Sequence, residues 1–197
     1  VSGTHHEMGR QIGEAARHQV QNSIANARIL IDAAYSSLEL TWEGAKIQAR
    51  KYLPFAEERY SQYVDEMRGT AEGANVEFDD IMVLNAMEAV TTDALHLTRC
   101  TSMAVNEERT TDGHVLAAHN EDWIPEDEGD VFVISAKPDK EPPFLAMTYG
   151  GLLPNVGFNA YGIAQLIDSV YPADSRIGIP RLVVARAVLS SKRISGA

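Results

Sequence analysis

The stretch Arg99-Cys-Thr-Ser-Met-Ala-Val105 contains the only cysteine of the 197-residue sequence. An Asp-Gly turn signal and the stretch Val115-Leu-Ala-Ala-His-Asn-Glu-Asp-Trp123 follow it. Two β-type runs on either side of such a turn are typical of a β-hairpin. The two arms, residues 100–111 and 112–122, have nearly equal lengths. We therefore expect the hairpin to return Asp122 close to Cys100.

The sequence before this stretch has the spacing of apolar residues that is typical of amphipathic helices. Pro54, the Gly73-Ala-Asn75 segment and candidate N-caps at Thr41 and at Asp79 or Asp80 supply boundaries. Gly9 and Gly13 lie four residues apart and share one helix face, which indicates close packing against another element. The predicted helices run from His6 to about Tyr35, Thr41 to Leu53, Pro54 to Glu72, and Phe78 to Asp93.

The sequence after the cysteine has short β-type runs separated by turn signals, followed by a helix that starts after Pro180. The order of helices, an antiparallel sheet and further helices predicts an α+β fold in which helices cover a sheet. The predicted elements are strands at Cys100–Asn106, His114–His119, Val131–Lys137 and Phe144–Tyr149, two short strands within Gly157–Asp168, and helices at Arg181–Leu189 and from about Ser195.

Composition excludes several classes of protein. A hydrophobic content of 45% and a charged content of 23% fit a folded globular chain. The formal charge of −11 argues against a nucleic-acid partner, whose phosphates would repel the chain. No apolar run approaches the ~20 residues needed to cross a bilayer, and no signal peptide opens the sequence. We expect no membrane association and a cytoplasmic protein.

A single cysteine excludes an intramolecular disulfide and a cysteine-cluster zinc site. Cys100 could be a buried thiol that acts as a small hydrophobic group, or it could be a nucleophile. The adjacent hydroxyls of Thr101 and Ser102 and the expected approach of Asp122 favour the nucleophile. A papain-like site needs a cysteine at a helix start with a histidine partner, whereas Cys100 opens a strand.

One kind of chemistry would supply the missing base. Cleavage of the peptide bond between Arg99 and Cys100 would give Cys100 a free α-amine, whose reference pKa is ~7.7 to 8.0. Such an amine can take the thiol proton near neutral pH, and the carboxylate of Asp122 could hold it in place. The nucleophile would then carry its own base.

These residues resemble the N-terminal nucleophile (Ntn) hydrolases, and most closely the acyl-coenzyme A:6-aminopenicillanic acid acyltransferase family, peptidase family C45. The resemblance covers nearly the whole chain, and its motifs occur in the family's order. They are Gly3-Thr-His-His-Glu-Met-Gly-Arg-Gln-Ile-Gly13, Cys100-Thr-Ser102, Asp112-Gly-His-Val115, His119-Asn-Glu-Asp-Trp123, Asn159-Ala-Tyr-Gly-Ile-Ala164 and Gly178-Ile-Pro-Arg-Leu-Val-Val-Ala-Arg-Ala-Val-Leu189.

The resemblance implies an αββα sandwich and a precursor that cuts itself between Arg99 and Cys100. Residues 1–99 would form a helical α chain or pro-segment, and residues 100–197 would form the N-terminal part of the β chain, both within one Ntn domain. The mature enzyme would act on a small-molecule amide or thioester through an acyl-cysteine intermediate. The two processed chains would stay associated.

The resemblance also implies roles for individual residues. Cys100 would be the nucleophile, and Asp122, Asn120, Thr101 and Ser102 would complete the catalytic group. His119, Trp123 and Asp168 would line the substrate pocket, with Asp168 or its neighbour Ser169 at the place where relatives often have an oxyanion asparagine. The family's later asparagine and arginine have no counterpart before residue 197, so we expect a C-terminally truncated β portion.

The sequence departs from two related patterns. Arg99 stands where the penicillin enzyme has a glycine before its nucleophile. His119 stands where choloylglycine hydrolases have an arginine, which disfavours chemistry of the bile-salt type. A choloylglycine-hydrolase- or acid-ceramidase-like amidase remains an alternative, as does a small-molecule binding domain without catalysis.

No cofactor is expected, although a coenzyme A thioester could serve as a substrate. The adjacent His5, His6 and Glu7 and the acidic run from Glu121 to Asp130 lack the spacing of metal ligands, so we expect no metal. The acidic run contains six acidic residues in ten and could instead favour a cationic amine substrate.

Overall fold

The structure is a computed structural model and describes residues 1–35, 39–91, 99–169, 174 and 176–196. The first half is helical, as the sequence predicted. No helix within these ranges is long and apolar enough to cross a membrane. The elements before the cysteine are β1 (Ser2–Gly3), α1 (His5–Ala15), α2 (Arg17–Ala33), α3 (Trp42–Arg50), α4 (Leu53–Ala74), α5 (Phe78–Asn85) and α6 (Met87–Val90).

Three of the predicted helices are interrupted. The one predicted from Pro54 is kinked at Tyr60, where φ is −139° and ψ is 47°. The helix predicted from His6 to Tyr35 breaks at Ala16, where φ is −108° and ψ is 28°. The helix predicted from Phe78 breaks at Ala86 in the same way, and its predicted end at Asp93 lies outside the described residues. Both alanines are buried, so the apolar pattern continues through the breaks and does not reveal them.

The predicted caps differ in outcome. Thr41 caps α3, and its hydroxyl accepts a hydrogen bond from the Gly44 amide at 3.1 Å. The prediction that Asp79 or Asp80 caps the next helix is wrong, because α5 begins after Glu77 without a side-chain cap. Both carboxylates instead accept hydrogen bonds or form ion pairs with side chains of α2 and α3. Asp79 binds Arg50, and Asp80 binds Arg28, Trp42 and Lys46.

Four glycines allow helices α1 and α4 to cross with their backbones in contact. A Cβ atom on Gly9 would overlap the carbonyl oxygen of Glu66, and one on Gly13 would overlap that of Thr70. Gly69 and Gly73 of α4 meet the backbone of α1 in the same way. The close packing predicted from Gly9 and Gly13 is therefore confirmed.

The second half contains the predicted strands and one helix of eight residues. Three short 3-10 helices lie at Glu107–Arg109, Pro125–Asp130 and Ile194–Gly196, the last near the helix expected from Ser195. The main elements are β2 (Arg99–Val105), β3 (Leu116–Asp122), β4 (Val131–Pro138), β5 (Phe144–Tyr149), β6 (Val156–Asn159), β7 (Ala164–Gln165) and α7 (Arg181–Val188).

These strands form a five-stranded sheet with the order β1-β4-β5-β6-β7 and a separate hairpin of β2 and β3. Strand β1 pairs in parallel with β4, and the other pairs are antiparallel. Cys100 is therefore not in the first strand, since β1 precedes it, and it is the second residue of β2. Strand β3 begins at Leu116 instead of His114. The α+β class is confirmed.

One face of the five-stranded sheet is covered by helix α1 and by Leu189. Ile134, Phe144 and Ala146 are buried there against Met8 and Ile12. The other face exposes large apolar side chains, including Val133 at 70%, Phe158 at 54% and Leu145 at 40%. At one end of this second face lies Tyr149, which is buried, and the hairpin that carries Cys100 is close to it.

Candidate active site

The register of the hairpin decides which side chains accompany the cysteine. Cys100 pairs with Glu121, and Ser102 pairs with His119. Side chains directly opposite each other in an antiparallel pair project to the same face, and alternate residues share that face. The structure therefore places Cys100, Ser102, His119 and Glu121 together on one partly buried face of the hairpin.

The remaining predicted residues of the hairpin alternate to its other face. Thr101 pairs with Asn120, and Arg99 pairs with Asp122. Thr101, Asn120 and Asp122 are exposed. Asp122 nevertheless contacts the thiol, because its backbone N–H donates a hydrogen bond to the sulfur of Cys100. Asp122 thus approaches Cys100, as predicted, but it does so through its backbone.

A chain of hydrogen bonds runs along the partly buried face. Nε2 of His119 lies 2.8 Å from Oε2 of Glu121, and Nδ1 lies 3.1 Å from the hydroxyl oxygen of Ser102. A carboxylate only accepts hydrogen bonds, so Nε2 carries the proton that Glu121 accepts. In the neutral ring, Nδ1 then accepts from the Ser102 hydroxyl. The sulfur of Cys100, a ring nitrogen of His119 and a carboxylate oxygen of Glu121 lie within 4.8 Å of one another.

The surroundings of Cys100 favour the protonated thiol. Burial raises the pKa of Cys100 above its usual range, and the negative charges of Glu121, Asp168 and Asp122 raise it further. The hydrogen bond from the Asp122 N–H acts in the opposite direction but does not reverse the shift. A thiol held in this form requires a base before it can act as a nucleophile.

A cavity of about 670 Å³ opens beside the hairpin, between α2, the segment that joins α5 and α6, and the start of α7. Its walls are formed by apolar side chains from both halves of the chain, including Ala27, Leu84, Met87 and Leu182. Glu121 is part of both the cavity wall and the face that carries Cys100. The cavity is large enough for a small-molecule substrate.

Trp123, which we predicted to bind substrate, lines this cavity. Its indole N–H donates to Oδ2 of Asp127 at 2.6 Å, and its ring centroid lies 5.8 Å from that of Tyr149. Burial, together with the charges of Glu121, Asp127 and Cys100, raises the pKa of Tyr149. The tyrosine therefore keeps its hydroxyl proton, and it brings a neutral polar group close to the cysteine.

Arg181 lines the cavity on the side of helix α7. Its Nε and Nη2 atoms donate to the two carboxylate oxygens of Glu88, both at 2.7 Å. Its pKa is raised: burial acts to lower it, but the hydrogen bond and charge of Glu88 and the charges of Glu121 and Cys100 outweigh burial. Its buried Nη1 atom has no hydrogen-bond partner among the described residues.

Asp168, another of the three predicted substrate-binding residues, follows β7 and is exposed. Its charge contributes to the raised pKa of Cys100, so it lies within electrostatic range of the thiol. His119 does not line the cavity but faces the thiol from the hairpin. The predicted roles of these two residues remain predictions.

Sequence analysis did not select Glu121, Tyr149, Arg181 or Glu88 as site residues. The predicted hairpin contained the information needed to select Glu121. A register one residue away from a Cys100–Asp122 pair places Glu121 opposite Cys100. The other three come from β5, α7 and α6, and only the tertiary fold brings these elements to the hairpin.

The donor atoms of Cys100, His119 and Glu121 are close enough together for one cation to contact all three. Both ring nitrogens of His119, however, already have partners in Ser102 and Glu121, and all the donors come from a single hairpin. A bound cation would compete with these hydrogen bonds. We therefore assign no metal site to this group.

Comparison with known proteins supports the family suggested by the motifs. Residues 108–197 match the family model described as acyl-coenzyme A:6-aminopenicillanic acid acyl-transferase. The predicted family resemblance is confirmed. The match begins eight residues after Cys100, so it covers β3 and the five-stranded sheet after β1, but not the cysteine itself.

Two curated relatives are enzymes. The beta-alanyl-dopamine/carcinine hydrolase of Drosophila melanogaster is 27% identical over 215 aligned residues, which include 99% of this chain and 54% of the relative. The 40 kDa form of the acyl-coenzyme A:6-aminopenicillanic-acid-acyltransferase of Emericella nidulans is 24% identical over 190 residues, covering 96% of this chain and 52% of the relative. The chain thus spans about half the length of these relatives.

Proposed function

We propose that this chain is part of a self-processing cysteine Ntn hydrolase, which cleaves or transfers an acyl group on a small-molecule amide or thioester. One observation carries the proposal: the only cysteine lies on a hairpin face beside a cavity of about 670 Å³, and it shares that face with hydrogen-bonding side chains. The relationship to a hydrolase and an acyltransferase supports the same chemistry.

The first step is cleavage of the chain. The sulfur of Cys100 attacks the carbonyl carbon of Arg99, the carbon–nitrogen bond breaks, and the nitrogen becomes the α-amine of Cys100. Water then hydrolyses the thioester, which leaves a carboxylate on Arg99 and a free thiol on Cys100. The α-amine, with a reference pKa of ~7.7 to 8.0, then serves as the base for later turnovers.

The second step is acyl transfer from the substrate. The α-amine takes the thiol proton while the sulfur attacks the acyl carbon, and the leaving amine or thiol departs with a proton. Water or an acceptor amine then breaks the acyl-cysteine bond. The N–H of Asp122, which already contacts the sulfur, is positioned to steady the thiolate. The roles predicted for the side chains of Asp122, Asn120 and Thr101 remain part of the proposal.

Contacts between the two halves support continued association after cleavage. Arg186, fully buried in the second half, lies 3.1 Å from the carboxylate of Glu66 in the first half. Leu153 and Val183 of the second half pack in the main apolar core formed by helices of the first half. The exposed apolar face of the five-stranded sheet supports a second layer there, as the αββα sandwich requires.

The cavity supports a substrate with an apolar body and a cationic amine. Glu121 and Asp127 place carboxylates on the wall next to Trp123, whose ring can cover a cation or an aromatic amine. The Drosophila relative is named a beta-alanyl-dopamine/carcinine hydrolase, and an amide of dopamine agrees with this chemical class. We therefore propose N-acyl amides of cationic amines as substrates. A preference for neutral N-acyl amides in a matched series would contradict this choice.

Intact mass spectrometry of the purified full-length protein beside Cys100→Ala tests the proposal. We expect the wild type to split between residues 99 and 100 and the variant to stay whole. His114→Ala is a matched control, because this histidine is exposed at the hairpin turn. If both proteins stay intact and the thiol resists alkylation, Cys100 is structural and a binding domain becomes the better interpretation.

A further inference from the structure

The uncut chain lacks the base that the proposed mature enzyme would use. Before cleavage, the nitrogen of Cys100 belongs to the peptide bond with Arg99, and an amide nitrogen has no basic lone pair. The thiol is nevertheless held in its protonated form by burial and by neighbouring carboxylates. Self-cleavage therefore requires another group to accept the thiol proton.

We infer that His119, oriented by Glu121, is the general base for self-cleavage of the uncut chain. This inference rests on the proposed self-processing function and names the group that starts it. It is carried by geometry: the sulfur of Cys100, a ring nitrogen of His119 and a carboxylate oxygen of Glu121 lie within 4.8 Å of one another on the same hairpin face.

The hydrogen bonds of His119 select the imidazole tautomer that a general base requires. Glu121 accepts from Nε2 at 2.8 Å and fixes the proton on that nitrogen, so the lone pair of the neutral ring is on Nδ1. Nδ1 now accepts from the hydroxyl of Ser102 at 3.1 Å. A cysteine, a histidine and a carboxylate that orients the histidine form the arrangement that activates nucleophiles on unrelated folds.

In self-cleavage, one proton passes from the thiol through the imidazole to the leaving nitrogen. Once the Ser102 hydroxyl turns away from Nδ1 of His119, Nδ1 takes the thiol proton, and the sulfur forms a bond to the carbonyl carbon of Arg99. As the bond between that carbon and the nitrogen of Cys100 breaks, the imidazolium returns its proton to the leaving nitrogen. The products are a thioester and a free α-amine, and Glu121 stabilises the imidazolium while it exists.

Other groups near the thiol are less suited to be the base. Asp122 reaches the sulfur through its backbone N–H, and its side chain alternates to the exposed face. Tyr149 keeps its proton because its pKa is raised, and Arg181 is a cation held by Glu88. Among the residues that the structure describes, the charged and titratable groups acting on Cys100 from neighbouring elements are Glu121 and Asp122 on β3, Tyr149 on β5, Asp168 after β7 and Arg181 on α7.

The test is the rate of cleavage after cell-free synthesis of the full-length protein, followed by intact mass. General-base catalysis contributes roughly 10²- to 10⁴-fold, so we expect His119→Ala to slow cleavage by about 10²-fold or more. Glu121→Gln should slow it less, because the imidazole remains. His114→Ala should cleave at the wild-type rate, since this side chain is exposed and remote from the thiol face.

Added imidazole separates catalysis from a structural role. We expect millimolar imidazole to restore cleavage in His119→Ala but not in Cys100→Ala, and the pH dependence of the rescued rate should follow the added base. Two outcomes would overturn the inference while the wild type still cleaves itself. In one, His119→Ala cleaves at the wild-type rate; in the other, it cleaves slowly and imidazole does not restore the rate. If Glu121→Gln is slow while His119→Ala is fast, the carboxylate itself is the base. A wild type that never cleaves removes both proposals.

Discussion

Two histidine–glutamate pairs in this molecule have opposite surroundings. His5 and Glu66 lie 2.7 Å apart in the interior, where Arg186 supplies a cation 3.1 Å from the same carboxylate. His119 and Glu121 lie 2.8 Å apart on the hairpin, next to a thiol and further carboxylates. The same two residue types are thus combined with a buried cation in one region and with a thiol in the other.

The interior pair belongs to a closed network. Glu141 lies 3.3 Å from both His5 and Arg186, and the Tyr63 hydroxyl donates to Glu141 at 2.9 Å. Arg186 is fully buried between the rings of Tyr63 and Phe144. The network joins helices α1, α4 and α7 and the segment between β4 and β5. It therefore contributes to the association of the two halves of the chain.

The hairpin pair is not closed in this way. Among the described side chains, the cation near Cys100 is Arg181, which is held by both oxygens of Glu88. Burial and the carboxylates around Cys100 therefore raise the pKa of the thiol. Charges in the interior network compensate one another and favour a single packed arrangement. The hairpin instead places a thiol and an imidazole within 4.8 Å of each other, and our inference has them exchange a proton. Removing individual charges from each region tests this contrast.

The largest effect is expected for Arg186→Met. This change leaves the carboxylates of Glu66 and Glu141 buried without their cation, and breaking a buried pair costs about 3–5 kcal/mol. Chemical denaturation should show a loss of this size in the free energy of unfolding. Arg50→Met is the control, because its pair with Asp79 is at the surface and should contribute less than about 1 kcal/mol. Equal losses in the two variants would contradict the contrast.

The second prediction concerns pH. Burial acts to lower the pKa of His5, but hydrogen bonds and charges from Glu141 and Glu66 raise it from 6.5 to about 9. A folded-state pKa above the unfolded value gives stability that is complete below pH 6.5 and is lost as pH rises to about 9. The loss is at most about 3 kcal/mol, by the linkage of ~1.4 kcal/mol for each pKa unit.

The free energy of unfolding, measured from pH 6 to pH 9.5, checks this prediction. His5→Asn should remove the decline in this window, whereas His114→Asn should not change it. A wild-type curve that is flat between pH 6.5 and 9 would show that His5 is not held in its charged form. The negative charges of Glu66 and Glu141 would then be less fully compensated by cations than the geometry of the network indicates.

A smaller effect is expected at the helix crossing that positions His5 and Glu66. A methyl group on Gly9 would overlap the carbonyl of Glu66, so Gly9→Ala should force α1 and α4 apart and cost about 1–3 kcal/mol. Gly129→Ala is the control, because nothing lies within 4 Å of the added group. Thermal unfolding of both variants checks the prediction, and an unchanged Gly9→Ala midpoint would show that the crossing can relax.

The two regions also differ in how far sequence analysis could predict them. The glycine spacing predicted the helix crossing, since Gly9 and Gly13 on one face have little use except close approach. The partners of His5 are distant in the sequence: Glu66 lies 61 positions away and Glu141 lies 136 positions away. No local pattern relates them. The interior network therefore could not be predicted before the fold.

The hairpin was predicted to within one residue, and in a strand one residue decides the face. Arm lengths alone predicted that Asp122 lies close to Cys100, whereas the register pairs Cys100 with Glu121 and Arg99 with Asp122. The loop between Val105 and Leu116 includes a 3-10 turn at Glu107–Arg109, so the arms are not symmetric about the Asp-Gly signal. That asymmetry moved the carboxylate on the cysteine face from Asp122 to Glu121.

The smallest effect is expected at Asp168. Its charge raises the pKa of Cys100 from outside the hairpin, and its side chain is exposed, so solvent screens the interaction. Asp168→Asn should lower the thiol pKa slightly and speed alkylation of the uncut chain at pH 8 by about twofold to threefold at low salt. Added salt should reduce the difference.

The Arg186→Met change, remote from the thiol, should leave alkylation unaltered in the folded protein. If Asp168→Asn slows alkylation, the carboxylate acts on the thiol by contact and not by its charge. The hairpin would then resemble the interior network more closely than its open surroundings indicate.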